Sequence, residues 1–296
     1  MSRFPDFKKS HMRRLSSKQW ILIGATIICT VLFSFVSTVP NGDTAPKVMP
    51  QDIVSGHSLE DLVANARKSM SADLVAHVNA IEGQINTDRD AIRRVQLYDS
   101  LIHFLGQNKQ YVYAAFLAEQ KVVKNNGSGS DWQQAGERYS SSAGFEQDAN
   151  NQPALFEAAM RCFNKAIELD PKNLDAKVGL GICYVEGTKD PMKGISTLLE
   201  VVAADSTNVN AQLALADFSV KRNAPDKAIV RYSTALRLRP DYYGLHLNLA
   251  ELYEQMGDTA TAISHLEKYV QIETDPLAKN DVENAIRKLR GHTPSH

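Results

Sequence analysis

Cysteine is scarce in this chain: three in 296 residues, Cys29, Cys162 and Cys183, with no C-x-x-C among them. That spacing excludes a zinc finger or a dithiol redox motif. The eight histidines are scattered and no H-E-x-x-H occurs, so no metal site is expected. Basic side chains number 33 and acidic ones 34, a net charge of −1, which excludes the broad basic surface of a nucleic-acid binder. Strand-like alternation is missing beyond residue 57, so GLG at 179–181 follows no strand that would make it a phosphate loop. Neighbouring carboxylates such as Glu60 and Asp61 sit at a helix start, where the dipole favours them. No grouping of nucleophile, base and orienting acid is left. The chain reads as no enzyme, with no cofactor.

Charge and apolar character are both concentrated at the N-terminus. Residues 1–19 hold Arg3, Lys8, Lys9, Arg13, Arg14 and Lys18 against Asp6, a net of +5, so the remainder carries −6. WILIGATIICTVLFSFVSTV, residues 20–39, has no charge at all. At 1.5 Å rise per residue it makes about 30 Å of helix, the thickness of a bilayer core. The run is apolar on every side, Trp20 stands at its start, and the basic segment precedes it. Together these predict a single span with a cytoplasmic N-terminus. The competing reading is a cleaved signal peptide, against which stand the long apolar core and the lack of an A-x-A site. Cys29 has no small residue before it, as a lipidated cysteine would. Residues 40–57, PNGDTAPKVMPQDIVSGH, read as a flexible tether.

From Ser58 onward the sequence reads as helix. Ser58 with Asp61 three places on suggests a capping box, and residues 58–94 are assigned to N-terminal helices. Leu59, Leu62, Ala66, Met70, Leu74, Val78 and Ile81 form one apolar stripe at spacings of three and four. Beyond them a spacing recurs. AIVRYSTALRLRP at 228–240 and AMRCFNKAIELDP at 159–171 share Ala, an aromatic four later, Ala three beyond, and Pro five beyond that. First-helix places return as Leu180, Gly181 and Tyr184, then Leu215, Ala216 and Ser219, then Leu249, Ala250 and Tyr253. Second-helix places return as Gly194, Leu198 and Val201, then Ala228, Tyr232 and Ala235, then Ala262, Leu266 and Tyr269. Upstream, Trp132, Ala135, Gly136 and Tyr139 pair with Ala159, Phe163 and Ala166 across a surplus stretch, SSAGFEQDANN. Tyr98, Leu101, Ile102, Leu105 and Ala114 match more weakly, with Ala118 and Lys121 off pattern.

A period near 34 residues with helix–turn–helix content resembles the tetratricopeptide repeat family, over about two thirds of the chain. The resemblance implies an all-α, right-handed superhelix preceded by the single transmembrane helix. Its hairpins would span 95–128, 129–173, 174–208, 209–242 and 243–276, with a capping helix at 277–290. Small residues at fixed places let helix backbones approach and bulky ones fill the gaps beside them. One repeat cannot bury its own apolar face, so repeats stack. The recurrent spacing is packing, not chemistry. Cys162 and Cys183 fall on successive helices, open to two readings: a disulfide in an oxidising space, or two buried thiols.

The family uses the first helix of each repeat to line a groove for a peptide or helix of another protein. Carried onto this chain, those places are Asp175, Val178, Ile182, Val185 and Glu186; Asn210, Leu213, Asp217, Val220 and Lys221; and Leu247, Glu251, Glu254 and Gln255. Members that clamp a terminal carboxylate use Lys where Val178, Leu213 and Leu247 stand, so that clamp is not expected. An apolar lining with acidic edges suits an apolar or basic partner segment. Val178, Leu213 and Leu247 have a second reading as core, the default for an apolar helix face. The expected whole is a single-pass bacterial inner-membrane protein with its repeats in the periplasm, acting as a binding scaffold. The rival is an accessory to a membrane enzyme or assembly complex, such as cytochrome maturation machinery. Nucleic acid is not an expected partner, and self-association is left open.

Overall fold

Serine side chains set the first two helices. A computed structural model describes residues 57–292; the basic segment 1–19, the apolar run 20–39 and the tether up to 56 lie outside the described residues. Among the described residues there are thirteen helices and no strand. They are α1 (Leu59–Lys68), α2 (Ala72–Thr87), α3 (Ala91–Gln107), α4 (Tyr111–Lys124), α5 (Gly129–Phe145), α6 (Gln152–Leu169) and α7 (Leu174–Gly187). After these come α8 (Pro191–Ala204), α9 (Val209–Lys221), α10 (Pro225–Leu238), α11 (Leu245–Gln255), α12 (Thr259–Ile272) and α13 (Pro276–His292). No helix among the described residues is long and apolar enough to cross a membrane.

The Ser58 capping box forms: the Asp61 N–H donates to Ser58 Oγ and the Ser58 N–H to Asp61 Oδ2, each at 3.2 Å. The stripe from Leu59 to Ile81 is not one helix, however. Ser69 closes α1, its hydroxyl donating to the Ala66 carbonyl, and Ser71 caps α2 by accepting the Leu74 N–H. Two serines flanking buried Met70 compete with the helical backbone bonds there, and the apolar period continues across the break. Arg67 of α1 then forks onto Glu82 of α2, and the Tyr113 hydroxyl of α4 donates to the same carboxylate at 2.5 Å. This ties three helices at one polar point.

Three hairpin turns use one device. Lys109, Asn223 and Gly257 take φ of 59°, 52° and 81°, and the next residue's N–H returns to a carbonyl of the preceding helix. Those bonds are Gln110 to Leu105, Ala224 to Ser219 and Asp258 to Tyr253, at 2.8–2.9 Å. The left-handed residue stops the helix and satisfies a terminal carbonyl at once. Beyond the turn, Pro225 opens α10 where its missing N–H has no cost. The turn after α7 departs from this. That helix has 14 residues against 13 in α9, Thr188 is extended, and Asp190 caps α8 instead.

Helices pack in pairs, α5 on α6, α7 on α8, α9 on α10 and α11 on α12, and each pair leans on the next. The recurring small residues are fully buried at these seams: Ala135, Ala159, Ala166, Ala216, Ala228, Ala235 and Ala262. The surplus stretch after Ser140 continues α5 to Phe145, and the early part of α6 faces it in sequence, adding buried Ser142, Ala143, Leu155 and Phe156. GLG at 179–181 lies within α7, where its glycines are packing notches. Cys162 and Cys183 are free and buried, and burial pushes both thiols up to about 12, so they are inert side chains of the core.

One continuous core runs from Leu62 of α1 to Cys183 of α7. After it the interior divides into three smaller clusters, around Leu198 and Leu215, around Tyr232 and Leu249, and around Leu266 and Ile286. Ala235 shows how tight the seams are, being fully buried. Ala235→Trp is expected to overpack α10 and cost about 1–3 kcal/mol, read as a lower midpoint in thermal unfolding. An unchanged midpoint would show that Ala235 does not sit at a close helix contact.

Candidate groove on the first helices

The residues expected to line a groove are on α7, α9 and α11, and the structure sorts them into two groups. Apolar ones turn toward the core. Val178 is 4% exposed and belongs to the cluster with Leu198, Val201, Ala211 and Leu215, so as a groove-lining residue it is corrected to core. Ile182 is half-buried against the same cluster, and Leu213 and Val220 against the one around Tyr232. Leu247 packs beside Ala250 and Leu266. Val185 lies against Gly194 of α8, where a β-carbon on the glycine would meet its Cγ2 at 2.7 Å. The reason is general: an apolar stripe wide enough to bury one helix face leaves little apolar surface for a partner.

The polar places are exposed, and several hold one another. Lys221 of α9 pairs with Glu186 of α7, an ion pair between first helices of successive repeats. Asp217 accepts the hydroxyl of Tyr232, which is buried on α10. The protein mass around Asp217 pushes its carboxyl above the usual range although the residue is open to solvent, with the Tyr232 bond and Lys221 pulling the other way. Such a carboxylate gains from an incoming cation, because the cation offsets the lost solvation. Glu251 of α11 stands near enough to Tyr232 to raise its hydroxyl, after burial and Asp217. Asp175, Glu251 and Glu254 are exposed and form no ion pair among the described residues, while Glu251 accepts the Gln255 side-chain amide at 3.4 Å. What remains is a set of exposed carboxylates on the first helices, above apolar side chains that face mainly into the core, with Lys221 tied down.

Tyrosine bonded to carboxylate recurs through the array, and sequence reasoning did not anticipate it. The Tyr139 hydroxyl donates to Glu119 and that of Tyr269 to Glu273, each at 2.6 Å, besides Tyr113 with Glu82 and Tyr232 with Asp217. Each lets a large aromatic fill the core while its polar tip is satisfied. A second unanticipated pairing joins His246 of α11 to His265 of α12, Nδ1 to Nδ1, at 2.8 Å. The sequence did hold a signal: Gln212 and Arg231, also 19 apart, occupy the same places one repeat earlier and are bonded at 2.8 Å. Among the described residues no group of three or more His, Cys, Asp or Glu side chains is placed to hold a metal ion. A polar cleft of about 370 Å³ between α3, α4 and α5, lined by Tyr111, Glu137, Arg138 and Ser141, is on the earlier repeats, away from these residues.

Stacked helical hairpins of this kind define a class, the helical-repeat proteins. The particular repeat is identified by comparison. The tetratricopeptide repeat family's sequence profile matches residues 220–280, and a second profile of that repeat matches 155–173. A crystal structure of a tetratricopeptide repeat protein from Parabacteroides merdae is 15% identical, with a TM-score of 0.51 over 79% of this chain and 87% of that one. A thermophilic repeat protein of Thermus thermophilus is 17% identical over 66% of this chain and 98% of its own, with a TM-score of 0.48. No curated protein matches the chain. The chain therefore carries tetratricopeptide repeats in an all-helical, solenoid-like array, a fold whose members generally serve as protein–protein interaction scaffolds.

Proposed function

We propose that this chain is a membrane-anchored, non-enzymatic scaffold that holds a protein partner against the first helices of its last three repeats. The observation that carries the reading is the exposed carboxylates of Asp175, Glu251 and Glu254, which form no ion pair among the described residues, together with Asp217, whose carboxyl is pushed upward. A partner segment with basic side chains and an apolar strip fits it, since rim charges steer encounter and the half-buried Leu213 and Leu247 offer shallow apolar contact. The charge-free run at 20–39 behind a +5 segment supports an anchor in a bacterial inner membrane, with the repeats on the periplasmic side.

The experiment is capture of partners by detergent-solubilised full chain, with Glu251→Lys and Glu254→Lys combined. Partner affinity is expected to fall about tenfold or more, which is about 1.4 kcal/mol. Glu200→Lys on α8 serves as the control and should leave capture intact. Equal capture by both variants would move the interface elsewhere. A reporter fused after residue 296 tests the topology separately, and a cytoplasmic signal would refute the periplasmic placement.

A further inference from the structure

The contact between His246 and His265 has a geometry that restricts its chemistry. The two ring centres are 5.1 Å apart while the two Nδ1 atoms are 2.8 Å apart, so the rings meet head-on, nitrogen to nitrogen. A metal held by both would need the lone pairs to converge on a third point, whereas here they oppose each other. The arrangement is that of one N–H···N hydrogen bond. One imidazole donates from Nδ1 and the other accepts, which requires that at least one ring be neutral. His246 is buried, and Tyr253 stacks on His265 at 5.5 Å.

The previous repeat makes the same cross-helix link with Gln212 and Arg231, whose charge state does not change near neutral pH. In the last repeat the link is titratable on both sides. We propose that the His246–His265 contact is an acid-sensitive latch, which joins the two helices of the last hairpin at neutral pH and releases them when both rings take up protons.

The surroundings disfavour the charged rings. Lys268 on α12 acts on both, and no carboxylate is among the groups that do. Glu267 beside it is held by Arg290 of α13. On α10, Arg231 and Tyr232 are engaged by Gln212 and Asp217 of α9, and in the turn before α11 Arg239 and Asp241 pair with each other. Glu251 and Glu254 of α11 are exposed to solvent. Burial, more than charge, holds His246 below its ordinary value, and burial with the neighbouring His246 brings His265 to about 4. Both values are depressed, so the unfolded hairpin takes up protons first. The stabilisation is complete above about pH 6.5 and drains away as pH falls toward 4. The small core around Leu266 and Ile286 has little else to offset that loss.

The test is hydrogen–deuterium exchange of the full chain in detergent at pH 7.5 and 4.5, corrected for intrinsic rates. Amides of α11, α12 and α13 are expected to exchange about tenfold or more faster at pH 4.5, the effect of one unit of pKa displacement, while those of α5 and α6 keep their protection. His246→Gln combined with His265→Arg installs the link of the previous repeat and should abolish the acceleration. Equal protection at both pH values, or equal acceleration in the double variant, would overturn the latch. Exchange of the imidazole C2 hydrogens in the unaltered chain gives an independent reading. Two rings titrating near 6.5 would overturn it as well, and depressed values support it whether or not the double variant folds.

Discussion

Phe163→Ala is expected to destabilise the described array by about 3–5 kcal/mol in equilibrium denaturation, more than other truncations of a single side chain in this core. Phe163 is 1% exposed on α6, and its ring lies between two glycines on different helices. A β-carbon at Gly136 of α5 would stand 2.9 Å from the ring, and one at Gly179 of α7 only 2.3 Å. The ring is therefore what spaces three helices, two from its own hairpin and one from the next. Truncation leaves a void walled on two sides by residues with no side chain to fall into it, so relaxation recovers little. Phe163→Leu should recover part of the loss. A cost below about 1 kcal/mol for the alanine variant would mean that the glycines do not grip the ring.

The second large effect is expected at Gly194. In a helix, glycine to alanine ordinarily gains about 1 kcal/mol. Here the added carbon would lie 2.4 Å from the Gly181 carbonyl oxygen and 2.9 Å from the Val185 amide nitrogen. Both obstacles are backbone, so no rotamer change relieves them; α7 and α8 must part. Gly194→Ala is expected to cost about 1–3 kcal/mol net, seen as a lower melting midpoint. Gly83→Ala in α2 is the control, because no atom lies within 4 Å of its built β-carbon, and it should gain about 0.5–1 kcal/mol. The sign of the difference between the two variants decides whether the helix contact is backbone on backbone.

The repeat was legible because its residues obey local sterics. Ala228, Tyr232 and Ala235 take their places from one helix packing on its own hairpin partner, and those offsets are written into consecutive sequence. The break at Ser69–Ser71 was not legible, since the apolar stripe runs on across it and only the two serines betray it. The groove residues were the least legible. Glu186 and Lys221 meet only because one repeat is turned relative to its neighbour, which no single-repeat pattern encodes, and Asp217 with Tyr232 depends on the side-chain geometry across one hairpin. Val178 reads equally as lining or core by spacing alone, and only the neighbouring α8 and α9 decide it. Gly179 owes its place to the Phe163 ring of the previous hairpin, which no spacing within one repeat encodes.

The interior is unequal along its length, one long cluster up to Cys183 and three short ones beyond. A body built this way does not yield evenly when drawn out by force from its far end. Hairpins there unspool one at a time, each releasing roughly 110–120 Å of extended chain for about 34 residues. The block nearer the N-terminus surrenders in a single larger event, so whatever holds the chain at that end grips its most cooperative part.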